Sequence, residues 1–128
     1  MNLQFRIANE NDIKGIIELC NECFNENTSL EYAKKIYLDN KDDVNQIYVI
    51  GILNDKIIAH SKINIIPTIY EDMNTYAILN HVCVKPELRR EHIGTKLLDY
   101  CFKIAKDHNC KCVELWSKNF RKAAHGLY

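Results

Sequence analysis

The chain has 128 residues, of which 47% are hydrophobic and 27% charged, a composition typical of one soluble globular domain. Lys plus Arg number 17, as do Asp plus Glu, and the resulting zero net charge argues against a global attraction to nucleic acid or an anionic membrane. The first residues lack a signal-peptide pattern, and no apolar run approaches the ~20 residues that span a bilayer. We therefore expect a cytoplasmic protein without nucleic-acid or membrane partners.

Six cysteines raise the question of a metal site. Cys20 and Cys23 lie within a helical pattern, while Cys110 and Cys112 bracket the start of a predicted strand. A zinc site more usually shows two tight knuckles with loop-like flanks. We therefore expect buried, reduced thiols and no metal. A metal- or redox-responsive domain that uses these four cysteines is the alternative.

Hydrophobic spacing predicts the elements in chain order. The N-terminal half is predicted to contain a strand over residues 3–7, a helix over 13–24, a second helix from residue 28 or 29, and strands over 47–53 and 57–66 joined at Asn54-Asp55. The C-terminal half is predicted to contain a strand over 77–84, a helix over 93–108, a strand over 112–116 parallel to the previous one, and a last helix over 121–128. This order predicts an α/β (α+β) domain with a mixed, mostly antiparallel central sheet flanked by helices.

One stretch combines a strand, a proline turn, a charged loop and an amphipathic helix. It reads VCVKPELRREHIGTKLL and runs from Val82 to Leu98. Backbone N–H groups at a helix start favour anions such as phosphate. The stretch therefore predicts a local phosphate site in a chain whose overall charge is zero.

The order of elements and three segments resemble the GNAT superfamily of N-acetyltransferases. The segments are FRIANENDIKGIIEL, the strand-turn-helix above and VELWSKNFRKAAHGLY. The family's acyl-CoA loop, R/Q-x-x-G-x-G/A, matches residues 89–94, with His92 in place of the usual first glycine. The resemblance implies one acetyltransferase domain over residues 1–128 with acetyl-CoA as co-substrate. The family's later Gly-Phe and two further strands are missing, so we expect a C-terminally shortened domain.

The departure at His92 leaves two possibilities open. With an ordinary helical φ, the His92 N–H can still donate to a phosphate. If the loop needs a positive φ, a non-glycine residue there carries strain of about 1 kcal/mol.

The resemblance also implies which residues hold the cofactor. Backbone groups of the strand would hold the pantetheine arm as an extra strand does, and the loop N–H groups would hold the phosphates. The expected cofactor-binding residues are Val82, Cys83, Val84, Arg89, Arg90, Glu91, His92, Ile93, Gly94, Thr95 and Asn119.

For catalysis, the family's usual proton donor is a tyrosine in the helix after the fifth strand, and the segment R-x-x-A-H-x-x-Y places Tyr128 there. Many relatives carry a glutamate base on the strand before the loop, but here that strand reads AILNHVCV. Asn80 and His81 are expected to point to opposite faces. His81 is the candidate base, because histidine changes protonation near neutral pH. The alternative is a sheet histidine that only forms a structural hydrogen bond.

Other acidic or nucleophilic residues are held in reserve. Glu114 is the second candidate base, and Cys83 would act as an acetyl-relay nucleophile only beside a base that faces it. Three glutamates around the early helices are candidates for lining the amine pocket, namely Glu22, Glu26 and Glu31.

The sequence therefore predicts an N-acetyltransferase that moves an acetyl group from acetyl-CoA to a primary amine of a small molecule or protein by direct attack. The alternative is a non-catalytic acyl-CoA-binding or regulatory module. A homodimer through an exposed sheet edge is a possible assembly.

Overall fold

The computed structural model describes residues 2–116 of the chain. Its strands are β1 (Leu3–Ile7), β2 (Gln46–Leu53), β3 (Lys56–Ile66), β4 (Tyr76–Val84) and β5 (Val113–Trp116). Its helices are α1 (Ile13–Phe24), α2 (Leu30–Asn40) and α3 (Ile93–Asp107), with short 3-10 turns at Glu10–Asp12 and Pro86–Leu88. None of the helices in this part of the chain is long and apolar enough to cross a membrane.

The five strands form one sheet in the order β1-β2-β3-β4-β5. The first three pairings are antiparallel, and β4 pairs with β5 in parallel through the α3 connection. The predicted fold class, a mixed and mostly antiparallel sheet flanked by helices, is confirmed.

Local side-chain chemistry explains where the elements start and turn. The Asn9 side chain accepts from the Asn11 N–H, and the Asp12 carboxylate accepts from the Asn9 N–H, which closes a capping box before α1. Ser29 caps α2 by accepting from the Tyr32 N–H. The β2–β3 hairpin turns where predicted, at two residues with positive φ, Asn54 and Asp55.

The sheet separates two apolar layers. Helix α3 packs on one face with Ile93, Leu97 and Cys101, all of them at most 1% exposed. Helices α1 and α2 pack on the opposite face, around Ile16 and Ile50. The two helical layers therefore reach the strands from opposite sides, which matters for every cluster described below.

Candidate functional site

Helix α3 begins directly after the loop that was predicted to bind phosphate. Its first intrahelical hydrogen bond runs from the Lys96 N–H to the His92 carbonyl, 3.2 Å. The N–H groups of Ile93, Gly94 and Thr95 come before that bond and point out of the helix start. The positive end of the helix dipole adds to their attraction for an anion.

Two residues of this loop have a left-handed backbone. Arg90 has φ 78° and His92, the cap of α3, has φ 61°. Of the two possibilities for His92, the structure therefore shows the positive φ, which glycine adopts at no steric cost. Histidine is one of the side chains that tolerate this region better than most, so the loop forms with a moderate strain.

The charged side chains of the loop have different surroundings. Arg89, Arg90 and Glu91 are all exposed. Arg89 also bends back to β4, where its Nε donates to the Val84 carbonyl at 3.3 Å. Lys85 points towards α1 and contacts Glu22 at 3.4 Å. The two arginines of the loop and Lys96 in the first turn of α3 therefore lie near the helix start.

The backbone N–H and C=O groups at the end of β4 point in defined directions. The Lys85 N–H donates to the Ile58 carbonyl of β3, so by alternation the N–H and C=O groups of Val84 point away from β3. The described pairing of β4 with β5 ends at Asn80–Trp116. Val84, one of the predicted pantetheine-binding residues, thus presents its backbone groups at the edge of β4 that faces β5.

A β-bulge interrupts β4 between these two regions. His60 pairs with Cys83 and Lys62 with Asn80, so that Ser61 faces the two residues His81 and Val82. His81 takes φ 52° at this point. The bulge breaks the alternation of side chains along the strand.

The prediction that Asn80 and His81 point to opposite faces is therefore wrong. Their side chains approach each other, with His81 Nδ1 at 3.4 Å from Asn80 Oδ1, and both line the same cavity. The left-handed residue turns the imidazole to the side on which the asparagine already lies. A bulge of this kind has no signature in the residues AILNHVCV.

The cavity, of about 620 Å³, lies between the sheet and helices α1 and α2. Its helical wall is mostly apolar and its sheet wall is polar and aromatic. It is lined by Ile13, Ile16, Ile17, Cys20, Phe24, Glu26, Thr28, Tyr32, Ala33, Ile36, Tyr37, Tyr48, His60, Lys62, Asn80, His81 and Trp116. A cavity of this volume can hold a small organic molecule.

A histidine and a carboxylate meet in this cavity. His81 Nε2 lies 3.2 Å from both carboxylate oxygens of Glu26, whose side chain is 17% exposed. The Phe24 ring packs edge-on against the imidazole, with 5.1 Å between ring centroids. Because a carboxylate only accepts, Nε2 carries the hydrogen in this pair. The other ring nitrogen, Nδ1, faces the side-chain amide of Asn80.

Of the three glutamates predicted around the amine pocket, only Glu26 lines the cavity within the described residues. Glu22 pairs with Lys85 and lines a separate groove. Glu31 and Glu114 are both exposed. The acidity of these residues could not distinguish them, because their positions depend on how α1 and α2 lie against the sheet.

The environment of Cys83 opposes a role as acetyl-relay nucleophile. Hydrogen bonding with Cys20 and burial both raise the pKa of the Cys83 thiol well above its usual range. Its partner Cys23 contacts the Val84 carbonyl at 3.5 Å through Sγ. Reactive cysteines need a depressed pKa and a base, and these thiols instead behave as core residues.

The four-cysteine metal site is not formed. Cys20 and Cys23 pack in the layer of α1, while Cys110 packs against the core on the α3 face and Cys112 is exposed. The sheet lies between the two pairs, and no group of three or more potential ligands is close enough to hold a metal ion within residues 2–116.

The cavity also contains polar residues that sequence reasoning missed. His60 and Lys62 interrupt the apolar strand IIAHSKINII two residues apart, a spacing that places side chains on one face. That spacing was the available signal. Two predicted residues, Asn119 and Tyr128, lie outside the described residues.

Comparison with known proteins agrees with this geometry. Residues 13–128 match the model of the acetyltransferase (GNAT) family, whereas no curated protein gives a significant match. Among solved structures, a transcriptional regulator from Bacillus halodurans C-125 is 17% identical with a TM-score of 0.83, over 99% of this chain and 89% of that one. Glucosamine-6-phosphate N-acetyltransferase from Arabidopsis thaliana is 16% identical with a TM-score of 0.80, over 98% and 89%.

A third structure was solved with acetyl-CoA. This predicted acetyltransferase from Clostridium acetobutylicum is 20% identical with a TM-score of 0.73, over 89% of this chain and 80% of that one. At such identities the structural likeness shows the fold, whereas the family model covers most of the chain. The chain therefore belongs to the GNAT acetyltransferase family.

Proposed function

We propose that the protein transfers an acetyl group from acetyl-CoA to the primary amine of a small molecule by direct attack of the amine on the thioester. The observation that carries this proposal is the His81–Glu26 pair in the cavity, next to the point where the described β4–β5 pairing ends. It supplies a base and a carboxylate where the strand itself has no glutamate. A protein amino group is the other class of acceptor that the predicted activity allows.

In this proposal the start of α3 holds the cofactor's pyrophosphate. The N–H groups of Ile93, Gly94 and Thr95 and the strained loop residues before them face the anion, and two arginines add positive charge. Backbone groups at the end of β4 hold the pantetheine arm. The proposed set is Val82, Cys83, Val84, Arg89, Arg90, Glu91, His92, Ile93, Gly94, Thr95 and Asn119.

His81 is proposed as the general base that makes the amine nucleophilic. Its Nδ1 takes a proton from the ammonium, and the Glu26 carboxylate, 3.2 Å from Nε2, stabilises the imidazolium that forms. Asn80, whose amide oxygen lies 3.4 Å from Nδ1, is positioned to orient the amine. The amine nitrogen then bonds to the acetyl carbon, the C–S bond breaks, and the second proton of the nitrogen is lost to solvent, which leaves a neutral amide.

The departing thiolate requires a proton, and Tyr128 is proposed as its donor on the strength of the family resemblance. Transfer from a phenol to a thiolate releases CoA as the neutral thiol. Both the base and the acid then return to their starting protonation states by exchange with solvent.

The proposal is tested first by binding and then by turnover. Acetyl-CoA should raise the melting temperature, because a ligand that binds only the folded state stabilises it. A thiol-release assay over an amine panel then measures transfer. Stabilisation without any thiol release would identify the alternative, an acyl-CoA-binding module, and no stabilisation would contradict both.

Three variants test the proposed roles of His81, Glu26 and Tyr128. His81→Asn keeps a side chain that tolerates the left-handed backbone and should lower kcat by about 10²- to 10⁴-fold, with the acetyl-CoA shift retained. Glu26→Gln and Tyr128→Phe should also lower kcat. His108→Asn, at the end of α3 on the opposite face of the sheet, is the matched control. Full turnover by His81→Asn would remove His81 from the mechanism.

A further inference from the structure

His60 is a buried polar residue on the sheet wall of the cavity. It lies in β3 and is 2% exposed, and its ring stacks on Tyr48 with 6.2 Å between centroids and an interplanar angle of 9°. Its Nδ1 lies 2.8 Å from the Val49 carbonyl. Because a carbonyl oxygen only accepts, Nδ1 must carry the hydrogen of this bond.

The second nitrogen of His60 is consequently an acceptor. Burial lowers the pKa of His60 to about 4, despite the opposing hydrogen bond to Val49, so the ring is neutral near pH 7. A neutral ring with its hydrogen on Nδ1 has a bare lone pair on Nε2.

This lone pair is open to the cavity. Nε2 has no hydrogen-bond partner among residues 2–116. Within the same residues, every side-chain nitrogen or oxygen atom that is fully buried does have a partner. Nε2 therefore keeps accessible surface, and the cavity is the space that His60 lines. A nearly buried acceptor without a partner favours a ligand that donates to it.

The surroundings define which donor fits. The nearest cation on the same face of β3, Lys62, is directed towards β2, with Nζ 3.0 Å from Gln46 Oε1 and 5.4 Å from the centre of the Tyr48 ring. The opposite wall is built from isoleucines of α1. An anionic group would face the lone pair of Nε2 unfavourably, whereas a hydroxyl on an apolar body matches both walls.

We propose that the cavity selects acceptor amines that carry a hydroxyl group on an apolar body, and that Nε2 of His60 accepts the hydrogen bond from this hydroxyl. The inference rests on the proposed function, since it names the acceptor class for the same cavity. His60 is a specificity residue in this scheme. It lies on β3, and His81, which would hold the amine, lies on the neighbouring strand β4.

Matched amine pairs test the inference. The pairs are tyramine against 2-phenylethylamine and 5-amino-1-pentanol against pentylamine, each compared by kcat/KM in the thiol-release assay. One additional hydrogen bond predicts a preference of about 10-fold for the hydroxylated member of at least one pair. The preference should appear mainly in KM, because a contact made equally in the ground state and the transition state changes KM rather than kcat. Equal kcat/KM within both pairs overturns the inference.

His60→Asn isolates the acceptor atom. Asparagine can still donate to the Val49 carbonyl but has no acceptor at the position of Nε2, so kcat/KM for the hydroxylated amine should fall to that of its partner. His108→Asn should preserve the preference. A preference that survives in a folded His60→Asn protein overturns the assignment, and if this variant does not fold, the wild-type comparison alone decides.

The test also separates this inference from the proposed function. If no amine releases thiol, calorimetric binding of the same pairs to the acetyl-CoA-loaded protein replaces turnover. Tighter binding of the hydroxylated member would support the His60 subsite in a protein that is not an acetyltransferase. Equal binding of both members, or no binding of either, would overturn it.

Discussion

Replacing His92 by glycine should stabilise the protein. His92 precedes α3 with φ 61° and is exposed. Its side chain makes no hydrogen bond or ion pair with the described residues, and its carbonyl, which accepts from the Lys96 N–H, is kept in any variant. Glycine removes the Cβ that opposes a left-handed backbone, and no packing contact of a buried side chain is lost. The substitution therefore changes the conformational free energy of the backbone at this position and little else.

The magnitude follows from two opposing contributions. A left-handed backbone costs a non-glycine residue about 1–2 kcal/mol, and histidine lies towards the low end. Glycine recovers this cost but loses more conformational freedom on folding, which offsets part of it. We expect the free energy of unfolding to rise by about 0.5–1 kcal/mol, which corresponds to roughly 2–4 °C in melting temperature for a chain of this size.

Urea unfolding at pH 7 and 25 °C measures the change, with wild type and variant compared at equal protein concentration. Lys103→Gly is the matched control, because Lys103 is exposed within α3 and has no positive φ. There glycine should cost about 1 kcal/mol. A higher free energy of unfolding for His92→Gly together with a lower one for Lys103→Gly would support the reasoning. A loss of stability in His92→Gly comparable to the control would refute the left-handed assignment.

The remaining predictions also concern stability. Burial lowers the pKa of His60 to about 4, so between pH 4 and about 6.5 the unfolded chain binds more protons than the folded protein. The free energy of unfolding should therefore rise with pH by up to about 3 kcal/mol across this window. In urea titrations, His60→Asn should flatten this rise. Asp12→Asn removes the charge and leaves one acceptor oxygen where two now accept from Arg6 and from the Asn9 N–H. It should cost about 1–2 kcal/mol, whereas Asp39→Asn, in an exposed helical pair, should change little. Gly51→Ala places a Cβ 2.8 Å from a ring carbon of Phe5 and should cost about 1–3 kcal/mol. At Gly94 an added Cβ would lie 3.9 Å from its nearest neighbour atom, so Gly94→Ala should fit.

Each of these comparisons has a result that contradicts it. A pH profile that His60→Asn leaves unchanged would mean that another group takes up the proton. Equal losses for Asp12→Asn and Asp39→Asn would show that the cap contributes nothing beyond an exposed ion pair. If Gly94→Ala lowered the melting temperature as much as Gly51→Ala, Gly94 would not have the open space beside it on which this prediction depends.

The amino-acid sequence by itself determined the elements found in residues 2–116, their order and the position of the loop that precedes α3. These depend on local chemistry that a linear pattern records: apolar periodicity in α1 and α3, a capping serine at Ser29, and two turn-forming residues at Asn54-Asp55. The parallel pairing of β4 and β5 followed as well, because a helix connects them.

Only the tertiary structure decided which side chains meet. The bulge that brings His81 beside Asn80, the approach of Glu26 from the segment after α1, and the orientation of His60 on the Val49 carbonyl all depend on contacts between residues far apart in the chain. Strand alternation predicts faces only while the register is regular, and a single extra residue reverses it. The charge of a carboxylate likewise does not reveal its partner, which is set by how α1 and α2 pack on the sheet.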